Sequence, residues 1–247
     1  MTFCIALKTS TGLVALADTQ IVRGSEQLTK GKIGHLGGPD NRIFVMSSGL
    51  RSVRDKLVIY VDEALEALPE PPTRLYQVVN LFGEQLRRIR AEDAEALAAG
   101  KLSFNAHAII GGRLAGDTEP TLFYLYPEGN WIEVSPDSPW FMIGRTYYGL
   151  PILDRLMHHD VSLTRAAALA LLAFDATQQS VTDVDFPVDM LSLGLDPLAQ
   201  VQAHRFEQHE LSDTLAWWQR ELAGALERMP TGWTEALFDT PDGHPRP

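Results

Sequence analysis

The sequence is poor in cysteine and in positive charge. Its 247 residues include one cysteine, Cys4, so no disulfide can form within the chain, and this composition fits a reducing compartment. Cys4 lies in an apolar segment, where we expect a buried small side chain. Lysine and arginine number 21 against 32 acidic residues, a net charge of −11. So acidic a chain argues against binding to nucleic acid or to an anionic membrane.

Long apolar runs and ligand-binding motifs are also lacking. No stretch reaches the roughly 20 apolar residues of a membrane span, and no basic and then apolar leader precedes the first strand, so we expect a cytoplasmic protein. Gly111 and Gly112 form no phosphate loop, because no helix with Lys-Ser/Thr follows. His158 and His159 have no partner at ligand spacing. We expect no cofactor and no metal.

Hydrophobic periodicity and turn signals predict ten strands and five helices. The predicted strands are 2–8, 13–19, 32–36, 42–48, 104–113, 120–126, 131–134, 140–143, 188–195 and 199–209. The predicted helices are 50–68, 75–98, 151–158, 163–178 and 211–229. Residues 20–31 are polar and are predicted to be a loop.

Runs of strands alternate with helix pairs, which disfavours a doubly wound parallel sheet. The predicted fold class is α+β: a four-layer αββα sandwich of two antiparallel sheets flanked by helices. No low-complexity linker divides the chain. We therefore predict a single domain over residues 2–230, including the C-terminal helix 211–229, and a loose tail over 231–247.

The candidate nucleophile is Thr2. Methionine is usually removed ahead of a small residue, which would leave Thr2 with a hydroxyl and a free α-amine on one residue. An α-amine has an ordinary pKa of about 7.7–8.0 and can act as a base near neutral pH. A threonine activated by its own terminal amine is a known form of nucleophile. The alternative is an ordinary Met-Thr start.

Three other segments supply candidate partners for Thr2. Asp18 ends the second predicted strand and returns a carboxylate to the start of the first. Lys30 and Lys32 follow a short loop later. Ser48-Gly49 stands between a strand and a helix, where backbone amides and the helix dipole can stabilise an oxyanion. An ordinary turn and a solvent-exposed lysine are the alternatives.

These features together resemble the proteasome β-type peptidases, which are N-terminal nucleophile hydrolases, and most closely the bacterial Anbu family. The resemblance rests on the opening residues, on the lysine near position 32, on Ser48-Gly49, and on the segments 143–155, 174–180 and 186–189. It spans residues 2 to about 195. It implies the N-terminal nucleophile hydrolase fold.

The resemblance also implies roles for the candidate residues. Thr2 would attack a peptide carbonyl and form an acyl-enzyme. Lys32 would lie against the threonine hydroxyl, either lowering its pKa as a cation or accepting its proton as a neutral amine. Asp18 would hold that lysine by an ion pair. Lys30 is the rival, since the loop is about two residues shorter than in HslV, but the apolar residues after Lys32 align better.

Two positions depart from the family pattern. Proteasome β subunits carry a serine after the glycine that corresponds to Gly144, whereas this chain has Arg145, and a hydroxyl follows at Thr146. The family's Asp-x-x-Ser reads Ser-Val-Thr-Asp here, with Ser180 and Asp183 exchanged. We expect Thr146, Ser180 and Asp183 to orient the amine and nearby water, and we expect weakened hydrolysis.

The resemblance implies self-assembly into a ring or an open helical oligomer that encloses the nucleophiles. The main prediction is a self-compartmentalising threonine peptidase that acts on peptides or unfolded proteins. Any ATP-driven unfoldase would be a separate partner, because the chain has no nucleotide motif. Two alternatives stay open: a weak or inactive proteasome-like scaffold, and an N-terminal nucleophile amidohydrolase acting on a small amide.

Overall fold

The computed structural model describes residues 2–23, 26–29, 31–36 and 42–238. They form two units, one up to Glu207 and one from Gln208. The single domain over residues 2–230 stays a prediction.

Twelve described strands belong to the first unit. In chain order they are β1 (Phe3–Thr9), β2 (Gly12–Asp18), β3 (Gln20–Arg23), β4 (Glu26–Thr29), β5 (Ile33–Leu36), β6 (Ile43–Gly49), β7 (Ala106–Gly112), β8 (Thr121–Leu125), β9 (Trp131–Glu133), β10 (Trp140–Gly144), β11 (Val188–Gly194) and β12 (Gln202–Phe206). Its four described helices are α1 (Arg51–Glu66), α2 (Leu75–Ala99), α3 (Leu150–Leu156) and α4 (Leu163–Gln178).

The strands form two five-stranded antiparallel sheets. The first has the order β10-β1-β2-β11-β12 and the second the order β5-β6-β7-β8-β9. In the first sheet the register pairs Cys4 with Ala17 and with Ile143, and it pairs Asp18 with Val188. The start of β1, after Thr2, the end of β2, at Asp18, and the end of β10, at Gly144, therefore lie side by side at the same end of the sheet.

Alternate residues of each strand point to opposite faces, and this alternation builds the layers. The core between the sheets holds Cys4, Ala6, Leu13, Ala15, Ala17, Ile143, Leu191 and Leu193 from the first sheet, with Phe44, Met46, Ile109 and Leu122 from the second. The other face of the second sheet packs on α1 and α2. The other face of the first packs on α4, where Phe3 meets Phe174 edge to face at 5.9 Å. The predicted four-layer αββα sandwich is confirmed.

One prediction for this unit was wrong. Residues 20–31 were expected to be a loop, but β3 and β4 pair as a small antiparallel hairpin. Its strands are four residues each and are joined across positions 24 and 25, so they are too short to show a clear alternation in the sequence. The joining residues lie outside the described residues.

The second unit is helical. It contains α5 (Gln208–Glu227), a 3₁₀ turn (Gly232–Thr234) and α6 (Glu235–Phe238). None of the residues of α5 is buried. The tail predicted to be loose is helical over 232–238, and the rest of it lies outside the described residues. No helix in the described parts of the chain is long and apolar enough to cross a membrane.

Candidate active site

The peptide bond between Thr2 and Phe3 is held by hydrogen bonds at both its carbonyl and its amide. Thr2 is buried, with 7% of its surface exposed. Its carbonyl oxygen accepts from the Arg145 amide at 2.8 Å, and the amide of Phe3 donates to Asp18 Oδ1 at 2.7 Å. Gly144 has a φ of 91°, and a Cβ there would collide with the Thr2 carbonyl oxygen. Only glycine fits this close approach.

Asp18 and Lys32 form a buried ion pair beside Thr2. Lys32 Nζ donates to Asp18 Oδ1 at 2.5 Å, and their side chains are 2% and 0% exposed, respectively. The same Asp18 oxygen accepts the Phe3 amide, so the pair is attached to the residue next to Thr2. The rival candidate Lys30 lies outside the described residues.

Burial is the largest influence on the pKa of Asp18. It raises the pKa of Asp18, while the Lys32 charge and the hydrogen bonds from Lys32 and Phe3 oppose the rise. Asp18 Oδ2 is also buried, and it accepts from no donor among the described residues. A buried oxygen without a donor costs free energy, and such atoms often mark functional sites.

Burial also governs Cys4, two residues after Thr2. It raises the pKa of the Cys4 thiol to about 12, with a further rise from the Asp18 charge. The thiol therefore stays protonated, and Cys4 is a buried apolar side chain rather than a nucleophile.

A second ion pair lies on the other side of Thr2. Arg145 Nε and Nη2 donate to Asp183 Oδ1 and Oδ2 at 3.2 and 2.9 Å, which is a bidentate contact. Burial, the largest single influence, would raise the pKa of Asp183, but the hydrogen bond from Arg145, nearby positive charge and a backbone hydrogen bond together outweigh it, and the pKa lies below its ordinary value. Since the Arg145 amide also binds the Thr2 carbonyl, Arg145 connects Thr2 to Asp183. This contact was not predicted from the sequence.

The remaining predicted site residues are less closely joined to Thr2. The Ser180 hydroxyl donates to the Ala176 carbonyl at 2.8 Å, a local bond at the end of α4. No hydrogen bond among the described residues joins Thr146 or Ser180 to Thr2. Ser48 and Gly49 end β6, and their role at an oxyanion stays a prediction, as do the catalytic roles of the other candidates.

Ser47 is a further polar residue next to the candidate oxyanion segment, and it was not predicted from the sequence as a site residue. Its Oγ accepts from Arg54 Nε at 2.9 Å. Its position directly before Ser48-Gly49 was the available signal. Among the residues that the structure describes, no three His, Cys, Asp or Glu side chains are grouped as a metal site would need.

The layered sheets, with a threonine at the start of the first strand and a buried acid–lysine pair behind it, define the N-terminal nucleophile hydrolase fold. The family model of the proteasome subunit matches residues 2–190. Among proteins with curated descriptions, a sequence comparison finds no match. The chain belongs to the proteasome subunit family and, by its likeness to solved structures, to the Anbu group within it.

Three of those solved structures show the extent of the likeness. A mutant Anbu from Hyphomicrobium sp. strain MC1 is 30% identical with a TM-score of 0.84, covering 94% of this chain and 99% of that one. Anbu from Yersinia bercovieri is 27% identical with a TM-score of 0.83, covering 93% and 98%. The helical assembly of the Anbu complex from Pseudomonas aeruginosa is 29% identical with a TM-score of 0.84, also covering 93% and 98%.

Proposed function

We propose that the protein is a self-assembling threonine peptidase in which Thr2, after removal of Met1, is the nucleophile. The observation that carries this proposal is the buried Asp18–Lys32 pair, joined through Asp18 to the amide of Phe3. A buried ion pair contributes little net stability compared with apolar residues. Its placement beside the Thr2–Phe3 peptide bond, which is held at both its carbonyl and its amide, therefore favours a catalytic role.

The proposed reaction proceeds in two halves. In the first, Thr2 Oγ attacks the peptide carbonyl carbon, and its proton passes to the α-amine of Thr2. The C–N bond then breaks, the leaving amine takes that proton, and an ester to Thr2 remains. In the second half, water attacks the ester carbon and gives a proton to the same amine. The ester bond breaks, Thr2 Oγ takes up that proton, and a carboxylic acid leaves.

The chain's own residues would stabilise the charges that develop in both halves. The ammonium of Lys32, held by Asp18, stabilises negative charge on the threonine oxygen. Backbone amides at Ser48 and Gly49 stabilise the oxyanion of the tetrahedral intermediates, where removing one such donor typically costs about 10²–10³ in rate. Asp183, with Thr146 and Ser180, orients the amine and the attacking water.

Self-assembly is proposed from the relatives and from the second unit. The Pseudomonas aeruginosa structure is a helical assembly, and a helix such as α5 with no buried residue offers surface to further copies. We propose a ring or an open helical oligomer that admits peptides or unfolded chains. The single cysteine supports a cytoplasmic location. Any unfoldase would be a separate protein.

A catalytically weak scaffold is the second candidate, and Arg145 favours it. Its guanidinium contacts Asp183 with two hydrogen bonds, so this acid is already engaged by a cation. The Ser180 hydroxyl is engaged by the Ala176 carbonyl. Both groups are among those assigned to orienting the amine.

Intact mass spectrometry tests the proposal and separates the two candidates. The protein is weighed before and after incubation with a peptide epoxyketone, which needs both a terminal amine and its adjacent hydroxyl. We expect a mass lower by one methionine and a single adduct. Thr2→Ala is the matched control, because it keeps the amine and lacks the hydroxyl. Retention of Met1 would refute the assignment of Thr2 as the nucleophile. Loss of Met1 without an adduct would favour the catalytically weak scaffold.

A further inference from the structure

A cavity of about 300 Å³ opens beside the Asp18–Lys32 pair. Its lining includes Lys32 and Ile33, Val45 and Ser47 from β6, and Arg54 and Val58 from α1. This volume is at the lower end of the range for ligand pockets. The cavity therefore has room for one substrate side chain.

The cavity adjoins the proposed reaction centre. Lys32 belongs both to the lining and to the ion pair that holds the Phe3 amide. Ser47 immediately precedes the Ser48-Gly49 segment that is assigned to the oxyanion. A substrate carbonyl attacked by Thr2 would therefore lie next to this cavity.

Arg54 gives the cavity a specific chemistry. Its Nε donates to the uncharged Ser47 hydroxyl at 2.9 Å, which holds the half-buried guanidinium against the lining. No carboxylate of the described residues lies within ion-pair distance of Arg54. The terminal nitrogens of a guanidinium form a planar fork that matches a carboxylate.

The other charges around the cavity are paired. Lys32 is matched by Asp18. Asp55 also lines the cavity, but its carboxylate accepts from Arg51 Nε at 3.2 Å, in a pair whose side chains are more than half exposed. Among the described residues of the lining, the charge of Arg54 is therefore not balanced by an ion pair. The charge of Arg54 reaches as far as Cys4, where it acts to lower the pKa of the thiol, as the charge of Lys32 does.

We infer that the cavity binds the acidic side chain of the substrate residue whose carbonyl Thr2 attacks, through the Arg54 guanidinium. The inference rests on the proposed function and adds the substrate class, which is peptides cleaved after a glutamate or an aspartate. The buried apolar Val45 and Phe82 in the lining contact the methylene groups of that side chain.

The test uses fluorogenic peptides that differ only at the residue before the cleaved bond. Glu is compared with the uncharged and nearly isosteric Gln, and Leu serves as an apolar reference. We expect kcat/KM for the Glu peptide to exceed that for the Gln peptide about tenfold, since a hydrogen bond between two charged groups is stronger than a neutral one.

Variants of Arg54 assign the effect. Arg54→Gln should bring the Glu to Gln ratio to about one, while Arg54→Lys keeps the charge and should retain part of the ratio. Arg88→Gln removes an exposed arginine of α2 outside the cavity lining and should leave the ratio as in the wild type. Equal rates for Glu and Gln in the wild type, or a preference that survives Arg54→Gln, would overturn the inference.

The outcome is separable from failure of the peptidase itself. If the Leu peptide is cleaved but Glu has no advantage over Gln, the proposed function stands and only this inference fails. If nothing is cleaved, binding is measured instead of cleavage. The same peptides, made as C-terminal amides without a fluorophore, compete with a fluorescent Glu peptide for the protein, and the anisotropy of the fluorescent peptide reports its displacement. A Glu advantage that Arg54→Gln removes then supports the cavity assignment, and equal displacement by Glu and Gln overturns it.

Discussion

Replacing Lys32 by methionine probes the buried pair directly. The substitution removes the cation from a pair whose side chains are 2% and 0% exposed, while it keeps the length of the side chain. Removing one member of a buried pair costs about 3–5 kcal/mol, because the other charge stays buried without compensation. We expect the free energy of unfolding at pH 7 to fall by that amount, as measured by denaturant titration.

The loss should also depend on pH, with a sign set by Asp18. Burial raises the pKa of Asp18, and the Lys32 charge opposes the rise, so without Lys32 the pKa is raised further. The folded state then binds a proton in a range where the unfolded state does not. Stability falls as the pH rises through that range, by about 1.4 kcal/mol per pH unit. Lys32→Met should therefore resemble the wild type more at pH 4 than at pH 7.

Two further variants make the result interpretable. Asp18→Asn combined with Lys32→Met removes both charges and should be more stable at pH 7 than Lys32→Met alone. Lys101→Met removes an exposed lysine and should change stability little at either pH. A Lys32→Met protein as stable as the wild type at pH 7, or a loss that is equal at both pH values, would refute the reasoning.

Three other outcomes are expected. Gly144→Ala should cost about 1–3 kcal/mol in denaturant titration and abolish the epoxyketone adduct, because it strains a φ of 91° and displaces Thr2. Arg145→Met should cost at most about 1 kcal/mol, since its pair with Asp183 is partly exposed. Under the proposed peptidase function it should also slow adduct formation measured by mass, because Asp183 loses the bidentate contact that positions it, whereas faster adduct formation would show that Arg145 holds Asp183 away from the reaction. Hydrogen bonds, chiefly from Lys56, lower the pKa of Glu92 to about 2. Its contribution to stability is present above its ordinary pKa and is lost as the pH falls toward 2, so Glu92→Gln should lack this part of the acid transition.

The sandwich was predictable because its parts have clear periods. The apolar residues of α1 and α2 recur at three- and four-residue steps over several turns, so both helices were predicted within two residues of their starts. Strands β1 and β2 are buried over nearly their whole length and stand out as apolar runs. Long segments with one dominant pattern leave little choice of structure.

The contacts of the candidate site were harder to predict from sequence. Arg145 and Asp183 are 38 residues apart and meet only because of the folded topology, and an arginine in place of a serine looked only like a departure. Asp18 and Lys32 were placed together by family resemblance, not by spacing. The start of α5 at Gln208, three residues before the predicted one, shows the usual uncertainty of helix ends.

The hydrogen bonds that hold Thr2 determine which substitutions position 2 can accept. The Arg145 amide binds the Thr2 carbonyl, and the Asp18 carboxylate binds the amide of Phe3. Both contacts are made to main-chain atoms and do not depend on the side chain at position 2. The scaffold therefore fixes the position of residue 2, the proposed nucleophile, without requiring a particular side chain there. Serine or cysteine is also small enough to permit removal of the initiator methionine and would occupy the same place. One substitution would thus exchange the proposed chemistry of this site while its architecture is kept.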